Sequence, residues 1–213
     1  MDRNQFLFLL GGLKWTLALS AIGFVVGSIA GLGVALARTS GHRALERVAA
    51  GYIALFQGTP LLMQLFVVYY GLALAGLKLD AWVSVSIGFT LHSGAFLGEI
   101  WRGAIEAVPK GQVEAAKALS LNYGSQMQDV VLPQAIRISL PATIGFLVQL
   151  IKGTSLAAII GFTELMRAGT IVSNQNFKPL LVLGLVCVLY FAICWPLSLV
   201  GAQLERRMAV AAR

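Results

Sequence analysis

Charge is what this sequence has least of. Asp, Glu, Lys and Arg make up 12% of its 213 residues, about half the share of an ordinary soluble domain. Acidic groups are the scarcer, nine against sixteen basic ones, for a net charge of +7. With 58% of the residues apolar, too few polar side chains remain to coat a water-soluble particle. The excess of positive charge sits beside apolar runs, which favours anionic lipid over nucleic acid as its partner. Cysteine is also rare. Cys187 and Cys194 lie seven apart in one apolar run and match no metal or redox spacing. Both read as packed thiols. A phosphate-binding GxxxxGKS or GxxxxGKT stretch is absent, as are paired-carboxylate, Ser-His-Asp and zinc-ligand arrangements. Neither catalysis nor a metal site is expected of this chain. The apolar stretch after residues 1–5 is too long for the core of a cleavable signal.

What the chain has instead is long apolar runs, the mark of an all-α polytopic membrane protein. One membrane domain over residues 1–213 is expected, with five transmembrane helices. Residues 6–10 lead along the interface into a first span at 13–37, where Gly27 and Gly31 offer a close-packing surface within the bundle. A second span runs from 59 to 76. Thr59 is placed to cap it and Pro60 to open it, with the apolar segment 49–56 as an offset first half. The third, 81–101, carries a tryptophan near each end. The fourth continues from Pro141 through 151, is broken at 152–155, and resumes to 162. A polar outer loop extends to Asn176, and the fifth span covers 180–200.

The longest polar interval is 114–133, EAAKALSLNYGSQMQDVVLP. Strong helix formers fill 114–119. Asn122, Gly124 and Ser125 break the pattern, Ser125 with Gln128 gives a capping-box signal for a second short helix, and Pro133 closes it. Ten of the sixteen Lys and Arg residues, Arg213 in the tail among them, fall on inner segments and five on outer ones if the N-terminus is outside and the C-terminus inside. That orientation puts the 114–133 loop in the cytoplasm.

The same loop carries a resemblance. Glu114, Ala115, Ala116, Ser120, Val130, Leu132 and Pro133 fall in register on the EAA signature of ABC importer permeases. Gln57-Gly58-Thr59-Pro60-Leu61-Leu62 with Gln64, Glu99 through Ile105, Val108 through Gln112, and Lys152-Gly153-Thr154-Ser155-Leu156 resemble phrases of the polar amino acid branch of that family (histidine, glutamine, arginine and glutamate types). Three positions depart. Gln57 replaces the usual Arg, Ser120 the usual Gly, and Gly153 an Asp or Asn. If the turn at 120 needs a positive φ, Ser strains it.

The resemblance spans about residues 13–207. It implies the type I importer permease fold in a bacterial cytoplasmic membrane. It implies a cytoplasmic coupling region at about 103–136, in which Glu114, Ala115, Ala116, Ser120, Leu121, Asn122 and Tyr123 dock an ATPase subunit. The implied partners are a second permease subunit (a copy or a paralogue), two ATPase subunits that bind the ATP and Mg, and an extracytoplasmic amino-acid-binding protein. No cofactor is expected on this chain. A permease for another small polar solute, or a channel or secondary transporter that needs no ATPase, remain alternative readings.

An amino acid carries a carboxylate and an ammonium, so its path needs donors and acceptors in a dry setting. The polar candidates within the spans are Gln64, Tyr70, His92, Ser93, Glu99, Gln149, Lys152, Thr154, Ser155 and Glu164. Lys152 suits the carboxylate, and Glu99 or Glu164 the ammonium. The same groups could pair with one another, Lys152 with either glutamate, and His92 reads first as a hydrogen-bonded packing histidine and second as a path residue.

Overall fold

The structure, a computed structural model, describes residues 1–211, and Arg213 lies outside them. Every regular element among the described residues is helical. In chain order they are α1 (Arg3–Arg38), α2 (Arg43–Gln57), α3 (Leu61–Leu74), α4 (Ala81–Glu106), α5 (Lys110–Ala118), α6 (Tyr123–Ala158), α7 (Leu165–Asn176) and α8 (Pro179–Ala211). Three helices, α1, α6 and α8, are long and apolar enough to cross a membrane. The α2–α3 pair makes a fourth crossing if taken together, bent by 104° at residues 58–60. The offset first half expected for the second span is therefore a helix of its own, set nearly at right angles.

Helix α4 is the centre of the bundle. Its polar residues Ser84, His92 and Ser93 are buried, alongside Val85, Phe89, Ala95 and Leu97. Because neighbouring helices rather than lipid surround it, it needs less apolar surface than the outer helices do. Its main partner is α1, and small residues set their separation. A Cβ at Gly31 would lie 3.0 Å from the Gly98 amide nitrogen, and one at Gly27 would overlap the Ser93 Cβ. The Gly27–Gly31 pair thus packs within the bundle, where two backbones approach too closely for any side chain. Trp82 meets Trp15 and Phe162, with ring centroids 5.0 and 5.4 Å away, and Trp101 donates from Nε1 to Thr143 Oγ1 at 3.0 Å. The tryptophans near both ends of α4 therefore fasten it to its neighbours.

Several local expectations are corrected. Residues 6–10 continue α1 instead of forming a separate interfacial piece. Thr59 does not cap α3. Pro60 holds the cap position, and the Thr59 hydroxyl donates back to the Leu55 carbonyl at 2.7 Å. Pro133 does not end a helix. The preceding turn, Gln126–Val131, widens to π geometry, which gives the proline ring room against the carbonyl four residues back. The helix then runs on past Pro141. After Gly153 it tightens into a 3₁₀ turn, Thr154–Ala158, and stops instead of resuming to 162. The stretch expected as a polar outer loop is mostly helix α7. Cys187 is exposed on this chain, whereas Cys194 is buried.

The α1–α4 seam gives a paired test. Gly27→Leu should overfill it and destabilise the chain by about 1–3 kcal/mol. Gly33→Leu, with nothing within 4 Å of its Cβ position, should be neutral. Thermal melting of the detergent-solubilised protein compares the two, and equal melting temperatures would contradict the seam.

Candidate functional site: coupling loop and polar face

The candidate coupling loop, 114–133, turns where α5 ends. The Leu121 amide donates to the Ala116 carbonyl at 3.1 Å and the Ser120 amide to the Lys117 carbonyl at 2.8 Å. This paired closure needs a left-handed residue between the two bonds, and Ser120 supplies it at φ 58°. The positive φ suspected from the sequence is real, and here a side chain bears it. Asn122, not Ser125, then caps the next helix, accepting at Oδ1 from the Ser125 amide at 2.9 Å. Gly124 and Ser125 lie inside that helix.

Exposure separates the loop residues into two groups. Ala116 is buried, one helical turn from Val113, which packs against the cluster of Ala104, Val108, Val131 and Ala135 that anchors the loop to α4 and α6. Glu114, Ala115, Ala118, Leu119, Asn122 and Tyr123 are exposed, Leu119 by 75%. Ala115, Ala118 and Leu119 share one helix face and form an apolar strip at the tip. Leu121 is half-buried, its carbonyl held by the Gln126 side-chain amide. Leu119 was not among the sequence candidates, although its helical spacing from Ala115 is a readable signal. Glu114 also borders a charged cleft of about 520 Å³ with Arg38, Glu46, Glu106, Lys110 and Lys117.

The ten polar candidates within the spans fall into three sets. The first is buried, and two of its members hold backbone. Gln64 is buried and donates from Nε2 to the Phe56 carbonyl at 2.7 Å and to the Thr59 carbonyl at 3.0 Å, while its Oε1 lies 3.0 Å from His92 Nδ1. Those carbonyls are freed by the α2–α3 bend, and in lipid an unsatisfied carbonyl is expensive. His92 is buried against Phe96, ring centroids 4.4 Å apart. Ser93 is buried in the α1–α4 seam, and Thr154 is buried with its hydroxyl donating to the Ile151 carbonyl at 2.7 Å.

The second set is already paired. Glu99 meets Arg102 through both carboxylate oxygens, and Arg102 also reaches Glu106. Glu164 is fully buried. It caps α7, accepting from the Met166 and Arg167 amides at 2.8 Å each, from Tyr190 Oη at 2.8 Å and from Thr16 Oγ1 at 3.3 Å. Thr16 and Tyr190 were not foreseen, because they stand 148 and 26 residues away. Neither glutamate pairs with Lys152, which forms no salt bridge among the described residues.

The third set is exposed or half-buried. Gln149 and Lys152 stand on the open face of α6, in line with Ala142 and Gly145. Ser155, half-buried, donates to the Lys152 carbonyl at 2.8 Å. Tyr70 is exposed on α3. An amide and an ammonium on the outer face of an apolar helix are costly against lipid tails, so this face needs a polar or protein neighbour.

The family described as binding-protein-dependent transport system inner membrane component matches residues 23–210. The probable amino-acid ABC transporter permease protein YckA of Bacillus subtilis (strain 168) is 37% identical over 97% of this chain and 91% of its own length. The L-cystine transport system permease protein TcyB of the same organism is 39% identical over 93% and 85%. A crystal structure of an amino acid ABC transporter with histidines superposes at a TM-score of 0.87, with 30% identity, covering 97% of this chain and 99% of that one.

Two substitutions test the local geometry. Ser120→Gly should stabilise the chain by roughly 1 kcal/mol, since glycine adopts positive φ without strain. Gln64→Leu should destabilise it by about 1–3 kcal/mol per carbonyl left unsatisfied. Melting curves of the two variants should move in opposite directions, and a shift of both the same way would refute this account.

Proposed function

The chain belongs to the family of binding-protein-dependent transport system inner membrane components, and on that premise we propose how it handles its solute. It is an integral membrane protein and a permease subunit of an ABC importer. The proposed cargo is a polar amino acid. The observation that carries this reading is the exposed face of α6, where Gln149 and Lys152 stand out from an apolar span. A second permease subunit, a copy or a paralogue, closes over that face and turns it into the wall of a path. Lys152 then offers its ammonium to the substrate carboxylate, with Gln149 and Ser155 beside it. Gln64, His92, Ser93, Thr154 and Glu164 hold the wall in shape, and Tyr70 stands at its α3 flank.

Five crossings follow if α4 counts as a span alongside α1, α2–α3, α6 and α8. With the N-terminus outside and the C-terminus inside, the coupling loop faces the cytoplasm of a bacterial inner membrane. There Ala115, Leu119 and Tyr123 present a surface to one of two ATPase subunits, which bind the ATP and Mg. Closure of the ATPases pushes on α5 and, through Ala116 and its neighbours, on α4 and α6. The open face of α6 is thereby exposed alternately to the two sides. An extracytoplasmic binding protein delivers the amino acid.

Two variants test the proposal separately. Ala115→Arg with Leu119→Arg should abolish co-purification of the ATPase while leaving membrane levels normal. Retained ATPase binding with solute-stimulated ATP hydrolysis would sink the docking surface. Lys152→Met should lower uptake of labelled amino acids by the reconstituted complex on the order of tenfold or more, as loss of a charged hydrogen bond implies, with assembly intact. Undiminished uptake would remove Lys152 from the path.

A further inference from the structure

Gln57, the last residue of α2, and the three residues between α2 and α3, Gly58, Thr59 and Pro60, are all exposed on this chain. Their depth can be read from what flanks them. The Tyr52 hydroxyl, near the end of α2, donates to the Leu91 carbonyl of α4. Gln64, at the start of α3, meets His92. Leu91 is the central residue of the crossing 81–101, about 15 Å from Ala81 at 1.5 Å per residue. The bend therefore lies near the bilayer midplane. An exposed amide side chain and a non-helical backbone at that depth do not face lipid tails.

The bend also has a neighbour. A Cβ added to Gly153 would lie 3.3 Å from Leu61 Cδ2, so the first residue of α3 touches the residue that follows Lys152. Two interruptions of regular helix, the α2–α3 bend and the end of α6, meet at this point. The internal needs of the bend are met by Thr59 and Gln64. The Gln57 side chain makes no hydrogen bond among the described residues.

We propose that the α2–α3 bend lines the translocation path beside Lys152 and that Gln57 is a specificity-determining residue there. It presents a neutral amide to the part of the amino acid that Lys152 does not hold. Neutrality is the point: with Lys152 the nearby charge, an amide accepts or donates to either end of a polar side chain without selecting its sign. This rests on the reading of the chain as an amino acid permease, and the tests below separate the two.

The first test needs no substrate. Gln57→Cys is made in a chain carrying Cys187→Ser and Cys194→Ala, assembled with its partners, and treated with a charged methanethiosulfonate reagent. Only a thiolate reacts, and thiolates form where water reaches. The comparison is Val26→Cys, an exposed apolar site midway along α1. Gln57→Cys should react at least about tenfold faster, a difference near 1.4 kcal/mol. A rate no faster than that of Val26→Cys overturns the placement. The second test is selectivity. Gln57→Glu should raise, and Gln57→Arg lower, the ratio of basic to acidic amino acid uptake. An unchanged ratio in both variants overturns the specificity role. If the unmodified complex moves no amino acid, the functional reading fails on its own, while the labelling result still decides whether Gln57 meets water.

Discussion

In an apolar solvent every carbonyl released from a helix must find its donor inside the protein. Much of this molecule follows from how that demand is met at the α2–α3 bend. One side chain, Gln64, reaches across the break to the carbonyls of Phe56 and Thr59 and then to His92 on α4. Without those donors a turn of 104° between two apolar helices would leave orphan acceptors. With them, the second crossing swings off the bundle axis and its corner is fixed against the central helix. Tyr52 and Thr59 serve the same end from the α2 side. Part of the polarity of α4 has the same origin, since His92 is the attachment point for the side chain that holds a neighbour's broken backbone.

Close helix approach supplies the complementary constraint. Where Gly27 and Gly31 meet Ser93, Gly94 and Gly98, the backbones of α1 and α4 touch with almost no side chain between them. Dispersion across such a seam does the work that hydrophobic burial does in water. The result is a stiff pair, α1 and α4, against which α6 carries its open polar face.

Much of this was legible in the sequence, for definable reasons. Apolar length is a direct readout of lipid contact, so α1, α6 and α8 were evident. The loop signature located α5 and the turn at Ser120, because a fixed spacing reflects a fixed backbone geometry. The misses have equally physical origins. Helix α7 reads as a loop because Thr170, Asn174 and Gln175 dominate its composition, yet Leu165, Ala168 and Val172 are spaced as one buried stripe. Pro133 reads as a stop, but a widened turn before it accommodates the ring. Ser125 and Asn122 both suit a cap, and the closure at Ser120 decides between them by bringing Asn122 to the helix start. The pairing of Lys152 with a glutamate failed because Glu99 and Glu164 found nearer partners, which no local pattern reveals.

Glu164 carries a consequence for biogenesis. Its carboxylate is enclosed by groups from three helices: Thr16 of α1, the first turn of α7, and Tyr190 of α8. During synthesis Thr16 enters the bilayer first and Tyr190 last. Until α8 arrives, the start of α7 has a carboxylate short of a donor, a strong reason for it to stay near water. Insertion of the last helix therefore does more than add a crossing. It completes the donor set that lets α7 seat, so the face where α1 and α7 meet closes only once α8 has emerged, and a nascent chain not yet carrying α8 keeps that face ajar.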